Sequence, residues 1–95
     1  MWVLYVLRCG DDTLYTGIAR DLTARLAQHR AGKGAKYTRG RGPLVLLAKA
    51  PCQTQSEALK LERAIKQLAR AEKLAILATP RRFAGFVKRW RNGTG

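Results

Sequence analysis

The stretch WVLYVLRC, residues 2–9, constrains the fold more than any other part of this chain. It is apolar at odd and even positions alike and rich in Val, Leu and aromatic residues, the pattern of a strand covered on both sides. Such a strand belongs in the middle of its sheet. Gly10, Asp11 and Asp12 supply turn chemistry and residues 13–18 resume an extended pattern, so the spacing predicts an antiparallel hairpin. A three-residue loop sets residue 9 opposite 13, 7 opposite 15 and 5 opposite 17. In that register Tyr5 and Tyr15 project from one face, diagonal to each other, and Gly17 leaves room above Tyr5. A slip of one residue would put the two tyrosines on opposite faces.

The rest of the chain reads as one strand and four helical segments around that hairpin. Asp21 is the N-cap of a helix over residues 22–31, ended by Gly32. A basic, glycine-rich, aperiodic stretch follows, and then LVLLAKA (44–50) forms a third strand between Pro43 and Pro51. TQSE (54–57) has capping-box spacing and starts a long helix reaching about Ala69, with Ala58, Leu61, Ile65 and Leu68 as its buried stripe. Two shorter helices are predicted over 70–78 and 80–91, the second with Thr79 as N-cap and Pro80 in its first turn. Ninety-five residues make one domain, 1–95, an α/β (α+β) fold with a three-stranded antiparallel sheet flanked by helices.

Charge gives the first functional signal. Nineteen Lys and Arg against six Asp and Glu leave a net +13, concentrated in RAGKGAKYTRGR (30–41) and RRFAGFVKRW (81–90), neither of which contains an acid. Such blocks make a phosphate-binding face. The apolar runs fall far short of the roughly 20 residues a membrane helix needs and no basic segment precedes the first, so a soluble, cytoplasmic protein is expected. Cys9 and Cys52 lack metal-ligand spacing and read as reduced, buried thiols.

On the first helix, Leu22, Arg25, Leu26 and His29 are three or four residues apart and point roughly one way, so an arginine and a histidine share the core-facing stripe with two leucines. On the long helix, Glu62 borders the apolar stripe in a chain with few acids. Taken singly, each residue has an ordinary packing explanation. Taken together, Tyr5, Tyr15, Arg25, His29 and Glu62 come from elements able to surround one face of the sheet, which marks a candidate site.

VLY (3–5), YTG (15–17), Arg25, His29 and Glu62 within EALKLERAIK resemble the GIY-YIG nuclease domain over nearly residues 1–70. Residues 70–91 would then be a helical extension. The resemblance is closest to the small stand-alone bacterial members, the YhbQ-like type, whose basic segment is similar to GKGAKYTRGRGPL here. It implies metal-dependent endonuclease activity on DNA phosphodiesters, with RNA left open as substrate and repair or processing of DNA as setting.

Carried over residue by residue, Glu62 would hold the metal, Mg²⁺ or Mn²⁺, and Arg25 the scissile phosphate, while Tyr5, Tyr15 and His29 would position and deprotonate water. Which of Tyr5 and His29 takes the proton stays open. Lys33, Lys36, Tyr37, Thr38, Arg39 and Arg41 are the expected grip on nucleic acid, by charge, by stacking or by the threonine hydroxyl. The chain departs from larger family members in lacking an asparagine soon after the glutamate helix; its single asparagine is Asn92. The alternative function is a nucleic-acid-binding module that keeps the fold and cuts poorly or not at all.

Overall fold

A computed structural model describes residues 1–34 and 38–94. The elements run β1 (Trp2–Arg8), β2 (Leu14–Ala19), α1 (Leu22–Arg30), β3 (Val45–Cys52), α2 (Gln55–Lys66), α3 (Arg70–Leu77) and α4 (Pro80–Thr94). The three strands form one antiparallel sheet in the order β2-β1-β3, so the doubly apolar strand is central as predicted.

The hairpin register is also the predicted one, with Tyr5 opposite Gly17 and Leu7 opposite Tyr15. Its loop is closed by Cys9 N–H donating to Thr13 O at 2.8 Å, and Asp11 accepts from the Thr13 hydroxyl at 2.6 Å. Because β1 alternates, Leu4 and Val6 enter one core with Ala50, Cys52, Ala58, Leu61, Ile65, Phe83 and Val87, beneath α2 and α4. Tyr5, Leu7 and Cys9 enter the other with Ala19 and Leu44, against which Leu22 and Leu26 of α1 pack. Each fully buried leucine stabilises by about 1.5–3 kcal/mol. The two cysteines are free and lie in different cores.

The predicted caps form. Asp21 Oδ1 accepts from Ala24 N–H, Thr54 Oγ1 from Glu57 N–H and Thr79 Oγ1 from Arg82 N–H, each at 3.1 Å. Gly32, just past α1, has φ +76°, which glycine adopts without strain.

Three boundaries differ from expectation by more than one residue. The long helix stops at Lys66 rather than Ala69: Gln67 caps it, Leu68 N–H donates to Ile65 O, and Ala69 turns to extended backbone as the N-cap of α3. Leu68, assigned above to the buried stripe, is therefore only half-buried. β3 passes through Pro51 to Cys52 because it is an edge strand, whose outward positions have no ladder hydrogen bond for proline to break. The Pro51 carbonyl accepts from Arg91 of α4, which also pairs with Glu57 at 3.3 Å. The last helix runs on to Thr94 instead of ending at residue 91. Among the described residues, no helix is long and apolar enough to cross a membrane.

Candidate active site

Four side chains meet on the α1 side of the sheet. Tyr5 of β1 and Tyr15 of β2, diagonal neighbours on that face, hold their ring centroids 6.2 Å apart. His29, in the last turn of α1, sets its ring edge-on to both, 5.8 Å from Tyr5 and 5.2 Å from Tyr15. Its Nε2 is hydrogen bonded to the Tyr5 hydroxyl at 2.8 Å and its Nδ1 to the Thr38 hydroxyl at 2.7 Å. Arg25, one turn earlier on the same helical face, is near enough to both phenols for its charge to act on them, and its Nη1 donates to Gln28 Oε1 at 3.1 Å.

Two glycines make this approach possible. A Cβ on Gly17 would stand 2.8 Å from the Tyr5 hydroxyl, and one on Gly34 would collide with the His29 ring at Nδ1. The cluster is thus closed tightly from the β2 side and from the loop after α1.

Burial sets the electrostatics. Tyr5 is completely buried, and desolvation pushes its pKa up to about 12, although the Arg25 guanidinium pulls the other way. His29 is lowered from its ordinary value, first by burial and then by the positive charge of Arg25, so the ring is neutral at pH 7. Arg25 is held still more firmly cationic, chiefly by its hydrogen bond with Tyr5. The site therefore presents one fixed positive charge over a neutral, hydrogen-bonded base.

Glu62 is carried by α2, which does not share a core with these four. The sequence reading drew all five residues around one face of the sheet, but α2 packs on the Leu4–Val6 face, opposite the tyrosines. The reason is the alternation of β1, which sends the apolar stripe of α2 to one side and α1 to the other. The Glu62 carboxylate pairs with Lys66 at 3.4 Å, and α2 lies against β2 and β1 more than against β3.

The GIY-YIG catalytic domain profile matches residues 1–75. The chain belongs to the GIY-YIG family. Among its relatives, a UPF0213 protein of Cronobacter sakazakii is 51% identical over 77 residues, which cover 81% of this chain and 81% of that one. A UPF0213 protein of Halobacterium salinarum is 49% identical over 73 residues, 77% of this chain and 95% of the relative. The solution NMR structure of a UPF0213 protein from Bacillus halodurans shares the fold with a TM-score of 0.55 and 40% identity, over 82% of this chain and 84% of the other. As a GIY-YIG domain it falls among nucleases, enzymes whose substrates are nucleic acids and which generally depend on a divalent metal.

The donor set fits such an ion in one way. Among the described residues no group of three or more His, Cys, Asp or Glu gathers, which does not suit a zinc or calcium cage. Glu62 offers one carboxylate with a 19% exposed side chain, and its partner Lys66 is exposed. A single carboxylate suits a Mg²⁺-like ion that keeps most of its waters and takes further oxygens from substrate phosphate.

The expected nucleic-acid grip divides. Lys33 and Arg39 are exposed, with Arg39 Nε donating to Gly32 O at 3.2 Å. Lys36 and Tyr37 lie outside the described residues. Arg41 folds back to pair with Asp11 in the hairpin loop, so part of its charge is neutralised. Thr38, expected to touch substrate, is turned inward and only 2% exposed. Two participants escaped the sequence reading: Gln28, detectable by its i+3 spacing from Arg25, and Gly34, which no local pattern distinguishes from its neighbours. Asn92 is exposed beside β3 in a groove of about 600 Å³ under α4, on the Leu4–Val6 side of the sheet.

Proposed function

We propose that this protein is a divalent-metal-dependent endonuclease that hydrolyses DNA phosphodiesters, selecting structure more than sequence. The observation that carries this reading is the convergence of Tyr5, Tyr15, Arg25 and His29 on one face of the sheet. Arg25, braced by Gln28 and Tyr5, presents its donors to the non-bridging oxygens of the scissile phosphate and offsets the charge that builds there in the transition state. Tyr15, half-buried where Tyr5 is sealed, is the phenol with access to an attacking water.

Tyr5 and His29 lie beneath and act on the groups above them. A phenol raised to about 12 is a poor base at neutral pH, and a His29 Nε2 already bonded to that phenol does not meet bulk water. Glu62, from across the sheet, holds Mg²⁺ or Mn²⁺; when bound, the ion supplies Lewis acidity toward the phosphate and lowers the pKa of its waters. Lys33, Lys36, Arg39 and Arg41 bring the polyanion to the site by charge, and Tyr37 adds stacking. Repair or processing of DNA in the cytoplasm is the setting that suits a small basic nuclease with reduced thiols.

The test is nicking of supercoiled, branched and single-stranded DNA, with an RNA arm, by wild type, Arg25→Ala and Glu62→Gln in Mg²⁺ and Mn²⁺. Both variants are expected to lose about 10²–10³-fold in rate. Binding with no nicking, unchanged by Glu62→Gln, overturns this reading in favour of a second one, a nucleic-acid-binding module. That second reading is favoured by one feature, the complete burial of Tyr5 beside a 2% exposed His29. Quenching of signals near both Glu62 and Tyr15 by Mn²⁺ in NMR spectra is expected if the carboxylate serves this site; quenching around Glu62 alone rules it out as the metal ligand of the reaction.

A further inference from the structure

Thr38 faces His29 rather than solvent. Its hydroxyl is 2.7 Å from His29 Nδ1, and both residues are 2% exposed. On the far side of the same ring, Nε2 meets the hydroxyl of the fully buried Tyr5, and beyond that phenol lies Arg25. Thr38 of the loop, His29 of α1 and Tyr5 of β1 are thus joined in a line by two hydrogen bonds, with Arg25 of α1 at the phenol end and the backbone of Gly34 pressed against the histidine end.

We propose that Thr38 is a positioning residue that holds His29 in its Nδ1–H tautomer, and so directs the Tyr5 proton to Nε2 and the Tyr5 oxygen toward Arg25. The direction follows from matching donors to acceptors. A neutral imidazole nitrogen is a far stronger acceptor than a phenol or alcohol oxygen, and a phenol is a better donor than an alcohol. Tyr5 therefore donates to Nε2, and the other nitrogen carries the ring proton and donates to Thr38 Oγ1. A guanidinium has donors only, so whatever Arg25 offers the Tyr5 oxygen, that oxygen must meet it as an acceptor.

In the opposite tautomer two donors converge on that oxygen, and the phenol proton is turned away from the best acceptor within reach. With both residues out of water, such a mismatch is costly. The loop after α1 thereby acts on Arg25 through two buried side chains, and orients the group that meets phosphate without touching phosphate itself. The last step of this chain rests on the nuclease reading; the tautomer does not.

His29 is the only histidine of the chain, so its ring nitrogens give unambiguous signals. Long-range ¹H–¹⁵N spectra of the ¹⁵N-labelled full chain at pH 7–8 are expected to show a protonated Nδ1 and an unprotonated Nε2 in wild type and in Thr38→Ser. Thr38→Val, which keeps the shape and deletes the hydroxyl, is expected to shift the ring toward the Nε2–H form or a mixture. In the nicking assay Thr38→Val lowers kcat about tenfold or more with unchanged DNA affinity, and Thr38→Ser recovers it.

A wild-type ring protonated at Nε2, a Thr38→Val spectrum identical to wild type, or a Thr38→Ser ring that follows valine each overturns the proposal. A shifted tautomer with unchanged kcat overturns its link to Arg25. Should valine unfold the chain, wild type and serine still decide the tautomer. Should the protein cut no nucleic acid, the spectra read the same, so the nuclease reading and this one fail separately.

Discussion

The two faces of β1 are built from neighbouring residues yet obey different rules. Leu4 and Val6 point into a core of aliphatic and aromatic side chains, where any arrangement that fills space and excludes water is stable. Tyr5, one position away, is buried just as completely but brings a hydroxyl that must find a partner, and it finds His29. The first face specifies volume. The second specifies direction, because a chain of hydrogen bonds tolerates neither a shifted ring nor a reversed proton. The described residues form one sheet, with an apolar core on one side and, on the other, a smaller core that also carries the candidate site.

Substitutions that separate volume from direction sharpen this contrast. The largest stability loss is expected for Leu61→Ala in the apolar core, about 3 kcal/mol in urea unfolding, with nicking per folded molecule unchanged. If nicking falls with it, the two faces are not independent. Gly17→Ala puts a Cβ against the Tyr5 hydroxyl from the neighbouring strand; the expected cost is about 1–3 kcal/mol, together with a displaced His29 ring signal. A stable Gly17→Ala with an unmoved ring would show that the cluster is not close-packed.

Tyr5→Phe leaves both ring nitrogens of His29 in place and removes one partner, so a loss of about 1–2 kcal/mol is expected with no change in core volume. The smallest effect is in pH. His29 binds its proton less readily in the folded state than unfolded, so below its ordinary value of 6.5 the unfolded chain takes up more protons, and stability falls as pH drops from that value toward the lower folded one. The slope can reach no more than about 1.4 kcal/mol per pH unit. His29→Gln is expected to remove it, and urea midpoints of both proteins between pH 5 and 7.5 measure the difference.

Much of the site was legible because it depends on short-range periodicity. Two-residue alternation fixed which side of the sheet Tyr5 and Tyr15 share, and three- and four-residue spacing put Arg25 and His29 on one helical face. Caps at Asp21, Thr54 and Thr79 were readable for the same reason, since a side chain and an N–H three positions later are all they need.

What failed to be legible involved contacts across the chain. Glu62 borders a stripe whose direction is set by which face of the sheet α2 covers, and a helical pattern is the same on either face. Thr38 and Arg41 look like surface residues of a basic loop until the loop closes over α1 and the hairpin, turning one toward His29 and pairing the other with Asp11.

By itself, then, the order of residues determined a central strand, its hairpin partner and the helices, because each is encoded in spacings that repeat within a few residues, while motifs spread from residue 3 to residue 62 carried the resemblance to the family. Only the folded chain decided that a threonine joins the histidine and that the glutamate is carried in the opposite layer. Hydrogen bonds between distant segments depend on how loops close and layers stack, and those choices are made by the balance of burial over the whole molecule rather than by any one stretch of it.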